Sequence, residues 1–170
     1  MPHLDLAHAV LAGAISAVLV WAAVSDIVAR RIPNAAVLVL LALYGAWVAI
    51  GLGAGLVSAV TAAAIGFAVG FGLYVFKIMG AGDVKLFAVT ALFAGMAYLP
   101  LFAFATAIAG GAIALVSFAS RPRRAAVMLT LRGKGDFGRG VPYGVAIAFG
   151  GAFVIWGGLC GMASGIRLIP

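Results

Sequence analysis

Four aspartates are the only acidic residues in this chain of 170 residues: Asp5, Asp26, Asp83 and Asp136. Two of them, Asp26 and Asp83, border long apolar segments, where an ionisable group costs several kcal/mol unless it is paired, hydrated or neutralised. Such a group is by default a hypothesis for a functional site. Because carboxylates are so few, any acid–base chemistry must be drawn from this short set.

Asp26 and Asp83 would form a pair of coupled acids if the fold brought them together. Two carboxylates about 3 Å apart resist double ionisation and share a proton, so one can activate water while the other polarises a carbonyl. Their titration then belongs to the pair, as in the aspartic-protease dyad. The glycines of "GAGD", Gly80 and Gly82, can adopt positive φ and leave the backbone open, so that an extended peptide can pair with the amides of this loop.

A second interpretation of Asp83 stays open on these residues: it caps the helix that follows and receives backbone amides there. Lys77 and Lys85 flank the loop, and we expect both to extend to the membrane interface. An alternative role for Lys85 is electrostatic support of the carboxylate pair. Asp136 belongs to a second glycine-any-glycine-aspartate sequence, "GKGD", which lies in a polar basic loop, and we expect it to be solvated.

The elements that must position these residues are membrane-spanning helices. Hydrophobic residues make up 66% of the chain and charged residues 9%, with a mean hydropathy of +1.25, whereas soluble domains are about half apolar and a quarter charged. The chain is therefore predicted to be an integral membrane protein of the all-α class. Its net charge of +7 is explained by cations retained for topology rather than by nucleic-acid binding, because no compact basic domain is present.

Six helices are predicted from the lengths of the apolar segments, since about 20 residues cross the hydrocarbon layer. Residues 35–76 are too long for one span, and the glycines of residues 51–55 indicate a turn. Residues 84–120 need a second turn, which we expect at Pro100. Residues 1–170 then form a single transmembrane domain, and the closely spaced small residues in many spans predict tight helix packing.

The basic residues support this count, because Lys and Arg accumulate on the cytoplasmic side of membrane proteins. With six helices, ten of the eleven Lys and Arg residues fall on one face and Arg167 on the other, whereas without the turn at Pro100 the six Lys and Arg of residues 121–139 would lie on the face opposite Arg30, Arg31, Lys77 and Lys85. Both termini are then expected outside and the basic face in the cytoplasm. Asp26 and Asp83 share that membrane boundary.

Three motifs occur in order along the chain. They are "GAGDVKLF" at residues 80–87, an aspartate six residues before "IPN" at residues 32–34, and "VPYGVAIAFGG" at the opening of the last helix. Together they resemble the type IV prepilin peptidases, which are polytopic membrane aspartic proteases of the glycine-any-glycine-aspartate class. The resemblance covers essentially the whole chain and includes the helix count.

This resemblance implies that Asp26 and Asp83 are the catalytic dyad, and we predict a substrate-binding loop of Gly80, Gly82 and Lys85 beside them. The family cleaves the short leader from prepilin-like precursors at the cytoplasmic face of the bacterial inner membrane. The implied partners are therefore prepilins and membrane lipid, and no cofactor and no metal are expected.

The larger family members carry a cysteine-rich zinc region that this sequence does not match. Cys160 is the one cysteine and can form neither an internal disulfide nor a multi-cysteine metal site, so methyltransferase activity and S-adenosylmethionine binding are not implied. The chain resembles the short, peptidase-only members associated with Flp, or tight-adherence, pili. Two alternatives stay open: a small proton-coupled transporter that uses Asp26 and Asp83 as a relay, and a structural subunit in which both aspartates cap helices.

Overall fold

A computed structural model describes residues 6–119 and 142–164 of the chain. Every regular element in these two ranges is an α-helix. The helices are α1 (Leu6–Ala29), α2 (Asn34–Ala49), α3 (Leu56–Val75), α4 (Ala81–Ala119) and α5 (Tyr143–Ser164). The predicted all-α class is therefore confirmed for the part of the chain that the structure describes.

The long helix α4 is a hairpin of two helices joined at Gly95. Its 39 residues would extend about 58 Å as one straight helix, nearly twice the hydrocarbon thickness of about 30 Å. The ring of Phe87 stacks on that of Phe102 with 4.6 Å between their centroids, although a straight helix would separate them by about 22 Å. The chain therefore reverses, and we call the two arms α4a (residues 81–94) and α4b (residues 96–119).

The predicted reversal within residues 84–120 is present, but its predicted position was wrong. The chain turns at Gly95, with φ 60° and ψ −178°, and Pro100 lies inside α4b. The reason is steric, because this backbone conformation is open essentially to glycine alone, whereas proline is locked at negative φ. The other predicted turn is confirmed, since Gly51 lies between α2 and α3 with φ 80°.

Consecutive helical segments run in opposite directions between two ends of the bundle. At one end, the backbone N–H of Met96 donates to Oγ of Ser58 at 3.0 Å, which places the Gly95 turn beside the start of α3. The other end, here the polar end, holds the C-termini of α1 and α3 and the N-termini of α2, α4a and α5. All Lys and Arg residues of the described ranges lie at or next to this end: Arg30, Arg31, Lys77 and Lys85.

Helix α4a packs closely against α3 and, near its C-terminal end, against α2. A Cβ at Gly66 or Gly70 of α3 would lie 3.1 or 3.2 Å from side-chain atoms of α4a, so these glycines let the two helices approach closely. At the end of the bundle away from the polar end, Phe93 of α4a meets the rings of Tyr44 and Trp47 edge-on, with centroid distances of 5.3 and 5.9 Å.

Within residues 6–119 and 142–164, four helical elements are long and apolar enough to cross a membrane, namely α1, α3, α4 taken with both of its arms, and α5. Helix α2 is also apolar but has 16 residues, which extend about 24 Å. The chain is therefore a membrane protein with several apolar helices, while six crossings with both termini outside stay a prediction. Several predicted features lie outside the described residues: Asp5, Asp136, Arg167 and the basic cluster within residues 121–139.

Candidate active site

Asp26 lies in the last turn of α1 and is 7% exposed. Its Oδ2 accepts a hydrogen bond of 2.9 Å from the backbone N–H of Gly144, in the first turn of α5, where the leading N–H groups have no partner within the helix. Helix α1 ends one turn after Asp26. There Arg30 adopts a left-handed backbone with φ 52°, and its N–H donates to the carbonyl of Asp26 at 3.0 Å.

Asp83 lies in the first turn of α4a and is 9% exposed. The carbonyl of Gly80 accepts the first helical hydrogen bond, from the N–H of Val84 at 3.2 Å. Oδ2 of Asp83 reaches back and accepts from the N–H of Gly80 at 3.1 Å, which is one half of a capping box. Oδ1 of Asp83 is buried, and no group of the described residues donates to it. One oxygen therefore caps the helix, and the other makes no hydrogen bond to a described residue.

The segment between α3 and α4a is shaped by a Schellman motif at the end of α3. The N–H of Ile78 donates to the carbonyl of Leu73, and the N–H of Lys77 to that of Tyr74, both at 2.9 Å; these two bonds define the motif. Lys77 stands at its left-handed position, with φ 59°, where glycine is usual. The motif turns residues 77–80 towards Asp83, where they form one wall of a pocket.

Asp26 and Asp83 line the same pocket, which has a volume of about 540 Å³. Although 57 positions separate them in the sequence, the two carboxylates are close enough for the charge of one to act on the other. Arg30 is also near enough to interact with the charge of Asp26. The pocket wall includes further residues from α3, the segment after it and α5: Tyr74, Val75, Lys77, Ile78, Met79 and Tyr143.

Each carboxylate meets the N-terminus of a different helix, Asp26 that of α5 and Asp83 that of α4a. A helix N-terminus carries the equivalent of about half a positive elementary charge and favours an anion. Hydrogen bonds from backbone N–H groups to a carboxylate are also stronger than those between neutral groups. The two helix starts therefore compensate negative charge that is buried in an apolar bundle.

The two glycines of the "GAGD" motif act through close packing. Their freedom to adopt positive φ is not used, because neither glycine has positive φ and Gly82 is already inside α4a. A Cβ at Gly80 would lie 3.0 Å from Oδ2 of Asp83, and one at Gly82 would lie 3.2 Å from Cβ of Ile32. Gly80 lines the pocket, whereas Gly82 lets the segment after α1 pack on the start of α4a.

Lys85 is exposed and is not part of the pocket wall. Its Nζ donates to Oδ1 of Asn34 at 3.4 Å, and Asn34 is the first residue of α2, directly after Pro33. This contact ties the start of α2 to the start of α4a. Of the three residues predicted for a substrate-binding loop, the structure thus brings Gly80 alone into the pocket.

The sequence did not single out Gly144 or Tyr143 as site residues. Gly144 is 118 positions away from Asp26, and no periodicity links positions so far apart. The available signal was the proline and glycine of "VPYG", which indicate a helix start but not what that start faces. In the described ranges no group of three or more His, Cys, Asp and Glu residues is placed to hold a metal ion.

Comparison with known families identifies one that matches this chain. A family model for the type IV leader peptidase family matches residues 13–115, which is more than half of the chain and includes both Asp26 and Asp83. No curated protein and no solved structure matches the chain significantly. The chain therefore belongs to the type IV leader peptidase family.

Proposed function

We propose that the protein is an aspartic prepilin peptidase in which Asp26 and Asp83 form the catalytic dyad. Membership of the family makes it a peptidase with prepilin-like substrates. The observation that supports the aspartic class is that both carboxylates are buried and line one pocket. The proton-relay transporter is not favoured, because the family match is to peptidases. The capping role of Asp83 is compatible with catalysis, since it uses only one oxygen.

A water molecule held between the two carboxylates is the proposed nucleophile. The ionised carboxylate takes a proton from this water while the oxygen of the water attacks the scissile carbonyl carbon. At the same time the protonated carboxyl group donates its proton to the carbonyl oxygen. The tetrahedral intermediate collapses when one of its hydroxyl groups returns a proton to the ionised carboxylate and re-forms the carbonyl, while the protonated carboxyl group gives its proton to the leaving nitrogen and the C–N bond breaks. The water is consumed and no covalent enzyme intermediate forms.

The substrate is proposed to lie across the membrane boundary, with its leader junction in the pocket and its apolar helix beside the bundle in the bilayer. The described Lys and Arg residues gather at the polar end, which supports a cytoplasmic pocket in the inner membrane. The resemblance to the peptidase-only members, and a single cysteine where larger members have a cysteine-rich region, support the assignment to Flp-type prepilins. The basic residues are assigned to anionic lipid and topology.

Co-expression with an Flp-type prepilin tests the dyad. Wild type, Asp26→Asn, Asp83→Asn and Asp136→Asn are compared by the size of the precursor, with the amount of each variant measured in the membrane fraction. We expect the first two variants to abolish cleavage and Asp136→Asn, the matched control from the second "GxGD" sequence, to cleave normally. Cleavage that persists without Asp83 refutes the proposal. A second, non-Flp type IV prepilin in the same assay tests the choice of substrate.

Reporter fusions test the side of the membrane. Fusions after Gly53 and after Arg132 should report opposite sides, the second of them cytoplasmic. The same side for both would contradict the six-helix arrangement while leaving the dyad untouched. A cleaved precursor combined with a periplasmic signal after Arg132 would overturn the cytoplasmic placement alone.

A further inference from the structure

Helix α5 begins directly against the carboxylate of Asp26. Besides the 2.9 Å hydrogen bond from its N–H to Oδ2, Gly144 is buried. A Cβ at this position would lie 2.9 Å from Oδ2, 3.0 Å from Cβ and 3.2 Å from Cγ of Asp26. These separations are shorter than ordinary van der Waals contact between carbon atoms, which lies near 3.5 to 4.0 Å. Any side chain at position 144 must therefore move either Asp26 or the start of α5.

We propose that Gly144 is a positioning residue for the peptidase reaction, an inference that rests on the proposed role of Asp26. The χ2 torsion of an aspartate is broad and roughly two-fold, so its hydrogen bonds decide how the carboxylate is oriented. The N–H of Gly144 holds Oδ2 and thereby fixes the carboxylate plane towards the pocket and Asp83. Catalysis needs such placement, since a displacement of about 1 Å can reduce the rate roughly 100-fold.

Packing on the other side of α5 makes Asp26 the group that would yield. Tyr143, the neighbour of Gly144, lines the pocket, and its ring covers Gly110 of α4b, where a Cβ would be 3.5 Å from Cε1. The start of α5 is therefore enclosed between α4b and α1. Gly144 also lies beyond residues 13–115, the range that the family comparison matches, so the positioning role adds a part of the chain that this match does not include.

Close helix packing is the competing explanation, because other glycines of α5 also face neighbouring helices. Gly151 is a matched control: a Cβ there would lie 2.6 Å from Cγ2 of Thr90 and 3.1 Å from Cδ1 of Leu19, and none of these residues lines the pocket. Gly157 is a second control in the same helix, since nothing lies within 4 Å of a Cβ there.

Steady-state cleavage by the purified full-length protein in detergent, with a full-length precursor as substrate, separates the two explanations. We expect Gly144→Ala to lower kcat roughly 10- to 100-fold with little change in KM. Gly151→Ala should lower the thermal unfolding temperature but keep the kcat of the folded fraction, and Gly157→Ala should change neither. Wild-type kcat in Gly144→Ala, or an equal loss of kcat in Gly151→Ala, overturns the positioning role.

Asp26→Asn, measured beside these variants, shows which proposal has failed. If it cleaves normally, the dyad itself is wrong; if it is inactive while Gly144→Ala keeps full kcat, only the positioning role is wrong. Should Gly144→Ala not fold, the contact is measured in protein labelled with ¹⁵N-glycine. The amide proton resonance of Gly144 should move upfield in Asp26→Ala relative to wild type, because its charged acceptor is gone. An unchanged resonance contradicts the proposal.

Discussion

Replacing Asp83 should separate helix capping from chemistry, because its two oxygens have different surroundings. Oδ2 accepts the N–H of Gly80 at 3.1 Å, whereas Oδ1 is buried without a donor among the described residues. Asp83→Asn keeps an oxygen for Gly80 but cannot share a proton with Asp26. Asp83→Ala removes both the acceptor and the acid, and Asp83→Glu keeps both in a longer side chain.

The three variants should differ in stability. A hydrogen bond to a charged group is worth about 1.5 to 3 kcal/mol and a negative charge at a helix N-terminus about 0.3 to 1 kcal/mol, but removal of a buried charge offsets part of this loss. We therefore expect Asp83→Ala to lower the free energy of unfolding by about 1 to 2 kcal/mol. Asp83→Asn should lose less of this free energy, because the N–H of Gly80 keeps an acceptor. Asp83→Glu should also lose less, because Glu is a usual residue at this position of a capping box.

Activity should not follow stability. General acid–base catalysis contributes about 10² to 10⁴ to a rate, so Asp83→Asn and Asp83→Ala should both fall to background cleavage despite their different stabilities. Asp83→Glu should remain folded but lose roughly 100-fold, since the extra methylene displaces the carboxyl group by about 1 Å. Thermal unfolding in detergent and precursor cleavage measure the two quantities. Wild-type cleavage by Asp83→Asn refutes the dyad; equal destabilisation by Asn and Ala refutes the capping argument.

Three further substitutions test the surrounding structure. Gly95→Ala should lower the free energy of unfolding by about 1 to 3 kcal/mol, because the backbone there has φ 60° and a Cβ would lie 2.6 Å from the Cβ of Ala54. Pro100→Ala is the control and should be tolerated. Thermal unfolding compares the two variants. Lys77→Gly should raise the free energy of unfolding by about 1 kcal/mol, since glycine adopts the left-handed backbone of this position without steric cost. A lower denaturation midpoint than that of the wild type would contradict this. Lys85→Ala should change stability by less than about 1 kcal/mol and keep cleavage; a large loss of cleavage would return Lys85 to the site.

That Asp26 and Asp83 lie at the same end of the bundle could be predicted from the sequence, because position along an apolar segment is a local property. Apolar segment lengths place Asp26 and Asp83 at the same boundary, and scarcity of carboxylates leaves few alternatives. The hairpin in α4 could also be predicted from length alone. The position of its turn could not be predicted. Proline interrupts a helix because it lacks an N–H for a backbone hydrogen bond, whereas this reversal needed a backbone conformation that any of the 24 glycines of the chain can supply.

Contacts between distant segments explain what else the sequence did not reveal. Gly82 looked like a flexible loop residue, but its role depends on Ile32 lying against it. Gly144 looked like an ordinary glycine in an apolar helix, and only the fold shows that it meets Asp26. At both positions the lack of a side chain matters because of a residue that is distant in the sequence, Ile32 for Gly82 and Asp26 for Gly144. A single sequence does not indicate which distant residues are in contact.

Backbone strain at the end of α1 is best explained by charge. Arg30 and Lys77 end the helices that lead into the pocket, and both hold left-handed conformations that cost about 1 to 2 kcal/mol for a residue with a side chain. Glycine would avoid this cost, and the chain uses glycine 24 times elsewhere. Besides its part in topology, Arg30 is near enough to act on the charge of Asp26, which a glycine there could not do, and Lys77 lines the same pocket. The end of α1 therefore accepts strain where a positive charge lies beside a buried carboxylate, as strained residues at functional sites commonly do.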